Sequence, residues 1–127
     1  MYILTVEDSF SSAHQLNGYR GKCENLHGHN WRVVLSVKGS RLDKTGLLVD
    51  FHELKAMLRE VLTGLDHKNL NDVPPFTVIN PSSENIAAFI AGVMGQRLAE
   101  KSPDIELDSV VVWESDTSRC TYIHDGK

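Results

Sequence analysis

Large apolar residues occupy every second position from Trp31 to Val37, namely Trp31, Val33, Leu35 and Val37. Successive side chains of extended chain point to opposite faces, so Trp31 to Lys38 is predicted as a strand with those four on an inner face. Its alternate face, Arg32, Val34, Ser36 and Lys38, is neither fully apolar nor fully charged. A half-buried strand needs paired neighbours and a cover. Residues 2–7 alternate plausibly as a first strand, with Tyr2, Leu4 and Val6 on one face. Ser9 to Asn30 is polar and rich in glycine and histidine, and reads as a long functional loop or bulged connection.

The cover comes from two helices. Asp50 caps the first, with Glu53 three residues later as in a capping box. Phe51, Leu54, Leu58, Val61, Leu62 and Leu65 follow at helical spacing, and Gly64 lies near the end. Residues 66–80 form a loop. The second helix starts around Ser82 or Ser83 and buries Ile86, Phe89, Ile90, Val93 and Leu98. Ser109 to Glu114 and Cys120 to His124 are the third and fourth strands. The order ββααββ predicts an α+β fold, an antiparallel four-stranded sheet with two helices on one face. Open edges invite pairing with other chains, and closing several copies into a barrel would satisfy them.

By length the 127 residues form one domain, 1–127, and 41% hydrophobic residues suffice for its core. A formal charge of -4 argues against a nucleic-acid surface but leaves room for a local basic pocket for phosphates. No apolar run approaches the roughly 20 residues that span a bilayer, and no secretory signal is visible. The two cysteines, Cys23 and Cys120, need not pair in a domain this large. The expectation is a cytoplasmic protein with free thiols and neither a membrane nor a nucleic-acid partner.

Histidines carry the chemistry. His27 and His29 flank Gly28 just before the strand at Trp31. At i and i+2 of extended chain they project from one face, and Gly28 removes bulk between them. His14 follows the first strand and can lie opposite the pair if the two strands form a hairpin. Three neutral imidazoles with no fourth protein ligand describe an open, catalytic zinc site; three loop histidines without a metal are the plainer reading. Cys23, four residues before His27, becomes a thiolate more readily near a cation and can then act as base or nucleophile. A small buried cysteine or a zinc ligand are its rivals. Asp66 and His67 suggest acid–base work, although adjacent residues rarely bond each other, and His67 could simply meet the helix dipole. Glu114 closes the apolar run Val110 to Trp113, either as an exposed strand end or as an acceptor for paired N–H donors, such as a pterin's 2-amino group and N3 hydrogen. Cys120 is expected buried and inert, and His52 and His124 outside the site.

These pieces resemble the 6-pyruvoyl/6-carboxytetrahydropterin synthase family. The matching segments are Phe10 to His14, Cys23 to Trp31, Gly46 to Phe51, Leu65 to Leu70, Pro81 to Asn85, and Trp113-Glu114. They stand in family order over nearly the whole chain. The resemblance implies zinc on His14, His27 and His29, and Cys23 as proton acceptor assisted by Asp66 and His67. It also implies a pterin on Glu114 with Ser82, Ser83 and Glu84 near the ring. It implies the tunnelling fold, with three sheets joined into a barrel and two rings stacked as a homohexamer, a dimer of trimers with sites between subunits. The implied substrate is 7,8-dihydroneopterin triphosphate. Arg20 and Lys22, beside Cys23, are candidates for its triphosphate, with plain solvent exposure as the alternative. Three residues separate Cys23 from His27, a short spacing that resembles the carboxytetrahydropterin synthases of queuosine and other deazapurine biosynthesis. The pyruvoyl synthases are the runner-up. A tunnelling-fold protein that binds a pterin or purine without turnover, or a plain metal-binding oligomer, stays open.

Overall fold

The computed structural model describes residues 1–20 and 24–125. Its order is β1 (Tyr2–His14), β2 (His27–Gly39), α1 (Phe51–Thr63), a short 3-10 turn (Leu70–Asp72), α2 (Ser83–Lys101), β3 (Glu106–Ser115) and β4 (Ser118–Ile123). The strands form one antiparallel sheet in the order β1-β2-β3-β4. Both helices pack on the same, apolar face of it: Trp31, Val33, Leu35 and Val37 are 0% exposed, beneath Leu54, Leu58 and Leu62 of α1 and Ile86, Ile90 and Met94 of α2. The expected architecture is present.

Strand boundaries differ from the sequence reading: β3 and β4 begin at Glu106 and Ser118 rather than at Ser109 and Cys120. The segment expected as a loop from Ser9 to Asn30 is strand at both ends, since β1 continues to His14 and β2 begins at His27. The polar residues there alternate too: Phe10, Ser12 and His14 are buried while Ser9, Ser11 and Ala13 are not. A strand face ending in polar groups carries little hydrophobic signal, and periodicity in apolar residues alone misses it. A further difference is Phe51, expected in the stripe of α1 but 52% exposed, because the helix buries Leu54, Met57, Leu58, Val61 and Leu62 instead. Asp50 caps α1 as expected, its carboxylate accepting the His52 N–H at 2.8 Å.

After α1 the chain returns along the outer edge of β1. His67 N–H donates to the Ser11 carbonyl at 2.6 Å, and Ala13 N–H donates to the Lys68 carbonyl at 3.0 Å. Ser12 is buried between them: its hydroxyl donates to the Leu65 carbonyl and accepts from the Lys68 N–H. This run covers the His14 end of an edge strand whose other end, with Tyr2 and Ile3, stays exposed.

Candidate metal centre

The β1–β2 register sets His14 directly opposite His27. His27, His29 and Trp31 share the helix-facing side of β2, so the core stripe of that strand ends in two imidazoles. Glu114 takes the next inward position of β3 after Val110 and Val112, beside a bulge that ends the regular pairing with β4. The side chains of His14, His27, His29 and Glu114 converge, each offering one ligand atom, all within 4.8 Å of one another. His14 Nε2 lies 3.1 Å from His27 Nε2, and the Glu114 Oε1 atom is 3.3 Å from His14 Nε2 and 3.1 Å from His29 Nε2. A tetrahedron with zinc–nitrogen bonds of about 2.0–2.1 Å has edges of about 3.3 Å, close to these three separations.

The outward nitrogens explain why the inward ones can serve as ligands. His14 Nδ1 sits 2.7 Å from the Pro81 carbonyl, and His27 Nδ1 sits 2.8 Å from the Asn25 carbonyl. A carbonyl can only accept, so each Nδ1 bears the proton in the neutral ring and each Nε2 turns a lone pair inward. His29 Nε2 is buried with no hydrogen-bond partner; its contact with Glu114 has the distance of an ion pair but not the direction of a hydrogen bond. Burial lowers the His29 pKa; Glu114 and Glu24 oppose that shift, while His14 and His27 add to it. A neutral ring is the state a cation needs. Three lone pairs and a carboxylate oxygen facing one point repel unless a cation sits among them, so the donor set fits a divalent metal. Trp31 forms the floor. It is fully buried, donates its Nε1–H to the Ser12 carbonyl at 3.2 Å, stacks on Phe10, and meets the rings of His14 and His29 edge-on at 4.9 and 5.2 Å.

The expected role of Gly28 is not required by the packing. A Cβ there would come no nearer than 4.0 Å to the Ser12 carbonyl oxygen, so relief of bulk does not require glycine at this position. The expectation that adjacent Asp66 and His67 would not bond each other is also corrected. His67 Nδ1 lies 3.0 Å from Asp66 Oδ1, because His67 takes a left-handed backbone with φ 54° that folds the ring back. His67 stands four residues past Thr63, beyond the reach of the α1 dipole. Asp66 also accepts the Ser11 N–H at 2.8 Å and lies 4.0 Å from the Arg59 guanidinium. The Ser11 bond, aided by His67 and Arg59 against partial desolvation, holds its carboxyl below the usual carboxylate value. This pair lies on the outer edge of β1, with His67 81% exposed, and forms no part of the imidazole cluster.

The start of α2 borders the cluster through the Pro81 carbonyl. Ser82 is the N-cap, its hydroxyl accepting the Asn85 N–H at 3.1 Å, and Ser83 donates its hydroxyl to Glu84 at 2.9 Å. Glu84 is exposed and near Cys120, whose half-buried thiol is raised in pKa by burial and by Glu84, as befits an unreactive cysteine. His52 is exposed in the first turn of α1, and His124 lies at the far end of β4; neither joins the cluster. Cys23 and Lys22 lie outside the described residues. Their flanks are tied: Leu16 and Glu24 exchange bonds, Leu16 N–H to the Glu24 carboxylate at 3.2 Å and Glu24 N–H to the Leu16 carbonyl at 3.0 Å. Arg20 is exposed and stacks on Tyr19 at 5.4 Å. The carbonyls of Pro81 and Asn25, and the role of Trp31, escaped the sequence reading, because a backbone acceptor has no residue signature.

Residues 3–125 match the family model of 6-pyruvoyl tetrahydropterin synthase. The chain belongs to that family. The 6-carboxy-5,6,7,8-tetrahydropterin synthase of Synechocystis sp. is 40% identical over 133 residues, covering 96% of this chain and 93% of the relative. The 6-pyruvoyl tetrahydrobiopterin synthase of Dictyostelium discoideum is 41% identical over 100 residues, covering 69% of this chain and 74% of the relative. Among solved structures, the 6-pyruvoyl tetrahydropterin synthase of Caenorhabditis elegans matches with a TM-score of 0.77 at 31% identity over 98% of each chain. The sheet and its two helices thus have the tunnelling fold, and the chain is, in the broad sense of its family, a pterin lyase.

Two measurements check this geometry. His27→Ala or His29→Ala should remove most of the bound metal, measured by elemental analysis of purified protein, because two remaining imidazoles hold a divalent ion poorly; full occupancy in both would refute the ligand set. Asp66→Asn should destabilise the fold at neutral pH. A depressed carboxyl contributes stability above its unfolded value of about 3.9 and loses it as pH falls through the folded value. The gap in urea stability between wild type and variant should therefore narrow below about pH 4, and a gap that stays constant would refute the assignment.

Proposed function

We propose that this chain is a zinc-dependent 6-carboxy-5,6,7,8-tetrahydropterin synthase. It converts 7,8-dihydroneopterin triphosphate and water to 6-carboxy-5,6,7,8-tetrahydropterin, acetaldehyde and triphosphate, in the cytoplasmic synthesis of queuosine and related deazapurines. The observation that carries the reading is the convergence of His14, His27 and His29 on one point, with the Nδ1 protons of His14 and His27 tied back to carbonyls. The end-to-end similarity to the Synechocystis carboxy synthase supports the choice of product.

In this reading His14, His27 and His29 hold the zinc, which when bound supplies Lewis-acid chemistry toward the oxygens of the substrate side chain. Cys23 takes and returns protons at the neighbouring carbons. Asp66 keeps the proton on His67 Nδ1 and so leaves the other ring nitrogen to exchange protons. The pair faces outward from the β1 edge, so the proposal has it serve Cys23 of an adjoining subunit in a homohexamer, each chain contributing a single tunnelling-fold domain. Arg20 and Lys22 flank Cys23 and remain the candidates for the triphosphate. For the ring, two carboxylates are available. Glu114, the expected anchor, has Oε1 turned to the histidines. Glu84 is exposed in the first turn of α2, and its Oε1 is steadied by Ser83. We assign the paired donors of the pterin to Glu84, beside Ser82 and Ser83, and place Glu114 at the metal and the substrate side chain.

The variants separate these roles. Glu84→Gln should weaken pterin binding about tenfold or more, the worth of one charge-assisted bond, and keep its metal. Glu114→Gln should lower metal occupancy. The reverse pattern returns the anchor to Glu114. Incubation with 7,8-dihydroneopterin triphosphate should give a one-carbon carboxyl side chain and a trappable aldehyde. Cys23→Ala should cut that turnover by about 100-fold or more while keeping zinc. The pyruvoyl reading draws on the Dictyostelium relative, and a product retaining three side-chain carbons without acetaldehyde would establish it. Binding with no product would mark a pterin- or purine-binding protein instead.

A further inference from the structure

On the sheet face turned away from the helices, one row runs Ser9, Arg32, Trp113 and Arg119 across all four strands. The two guanidiniums lie against one indole, at 4.4 Å for Arg32 and 4.9 Å for Arg119 from the ring centroid. Both arginines are exposed, and Trp113 is half-buried. Among the described residues, the arginines in ion pairs are Arg41, Arg59 and Arg97, and neither Arg32 nor Arg119 has a carboxylate within 4 Å. In a chain of formal charge -4, two cations gathered on one ring with no carboxylate in ion-pair contact are costly, since like charges repel. Stacking offsets part of that repulsion and leaves the N–H edges of both forks free. Beside Arg32 and Trp113 opens a cavity of about 220 Å³, whose other walls are Asn30, Ser115 and Asp116.

We propose that Arg32, Trp113 and Arg119 form a clamp for an oligophosphate chain. A guanidinium fork matches phosphate oxygens bidentately, and two forks gathered on one indole offer more donors to a chain of phosphates than a single small anion can use. Asn30 and Ser115 add polar wall on the same side. The Asp116 carboxylate at the cavity opposes any anion and makes the clamp weaker than it would otherwise be. The site shares no residue with Arg20 and Lys22. Trp113 and Glu114 are consecutive in β3, as are His29 and Asn30 in β2, so the clamp backs onto the imidazole cluster across the end of the sheet. The geometry stands without the reaction proposed above; that reading bears only on the source of the ligand, a substrate tail or released triphosphate as against a nucleotide.

The probe is inorganic tripolyphosphate, titrated calorimetrically into the full chain. Arg32→Gln and Arg119→Gln should each weaken binding about tenfold or more, and Asp116→Asn should tighten it. Lys38→Gln, the same charge change on the same strand, should leave it near wild type, and circular dichroism should show every variant folded. Competition then names the source. Displacement of tripolyphosphate by dihydroneopterin triphosphate but not by ATP assigns the clamp to the substrate, and displacement by ATP assigns it to a nucleotide; either supports the site. No measurable binding to wild type, an unchanged affinity in both arginine variants, or an equal loss in Lys38→Gln overturns it.

Discussion

The imidazole cluster depends on the register of the β1–β2 pair. His14 faces His27 because Phe10 faces Trp31 and Val6 faces Leu35, eight residues of ladder fixed by which side chains enter the core. A slip of one residue would turn every side chain of β1 to the other face, exposing Phe10 and Val6 and removing His14 from the cluster. The hydrophobic core therefore holds the imidazoles in place, and the fully buried Trp31 joins the two: its ring closes the apolar stack from below and forms the floor beneath the imidazoles above. An edge strand alone would be a poor carrier for a ligand. The return of the chain after α1, bonded along Ser11 to Ala13, ties down the end of β1 that matters.

Polar groups at the end of a core need partners, and here those partners set the chemistry. The Pro81 and Asn25 carbonyls take the outward protons of His14 and His27. The same bonds that satisfy buried nitrogens thus select the tautomer and aim the lone pairs. Pro81 immediately precedes Ser82, the cap of α2, so the helix start that ends one structural element also positions the His14 ring. Asp66 shows the same economy at the other edge: one carboxylate receives the Ser11 N–H, orients His67 and faces Arg59.

Much of this was legible in the sequence. The two-residue periodicity at Trp31 to Val37 and the helical spacing from Leu54 to Leu62 reflect burial, which is a local pattern, and both were read correctly. The His27-Gly28-His29 pair was legible because i and i+2 on a strand must share a face. Ser9 to His14 was not, since its inward residues include Ser12 and His14 and hydrophobicity is the wrong signal for them. The bond between Asp66 and His67 was hidden by a positive φ at a non-glycine residue, which no propensity announces.

By itself the sequence determined the order of elements, the inner face of the central strand, most of the inner faces of the helices, and the shared face of His27 and His29, because each follows from spacing along one segment. Tertiary structure decided the rest. Glu114 meets histidines 85 to 100 residues away only through the pairing of β2 with β3 and the bulge beyond Trp113. Arg32 and Arg119 come to share one indole only because three strands align in register. Contacts between segments depend on register and on backbone acceptors, and neither is written in the residues that use them.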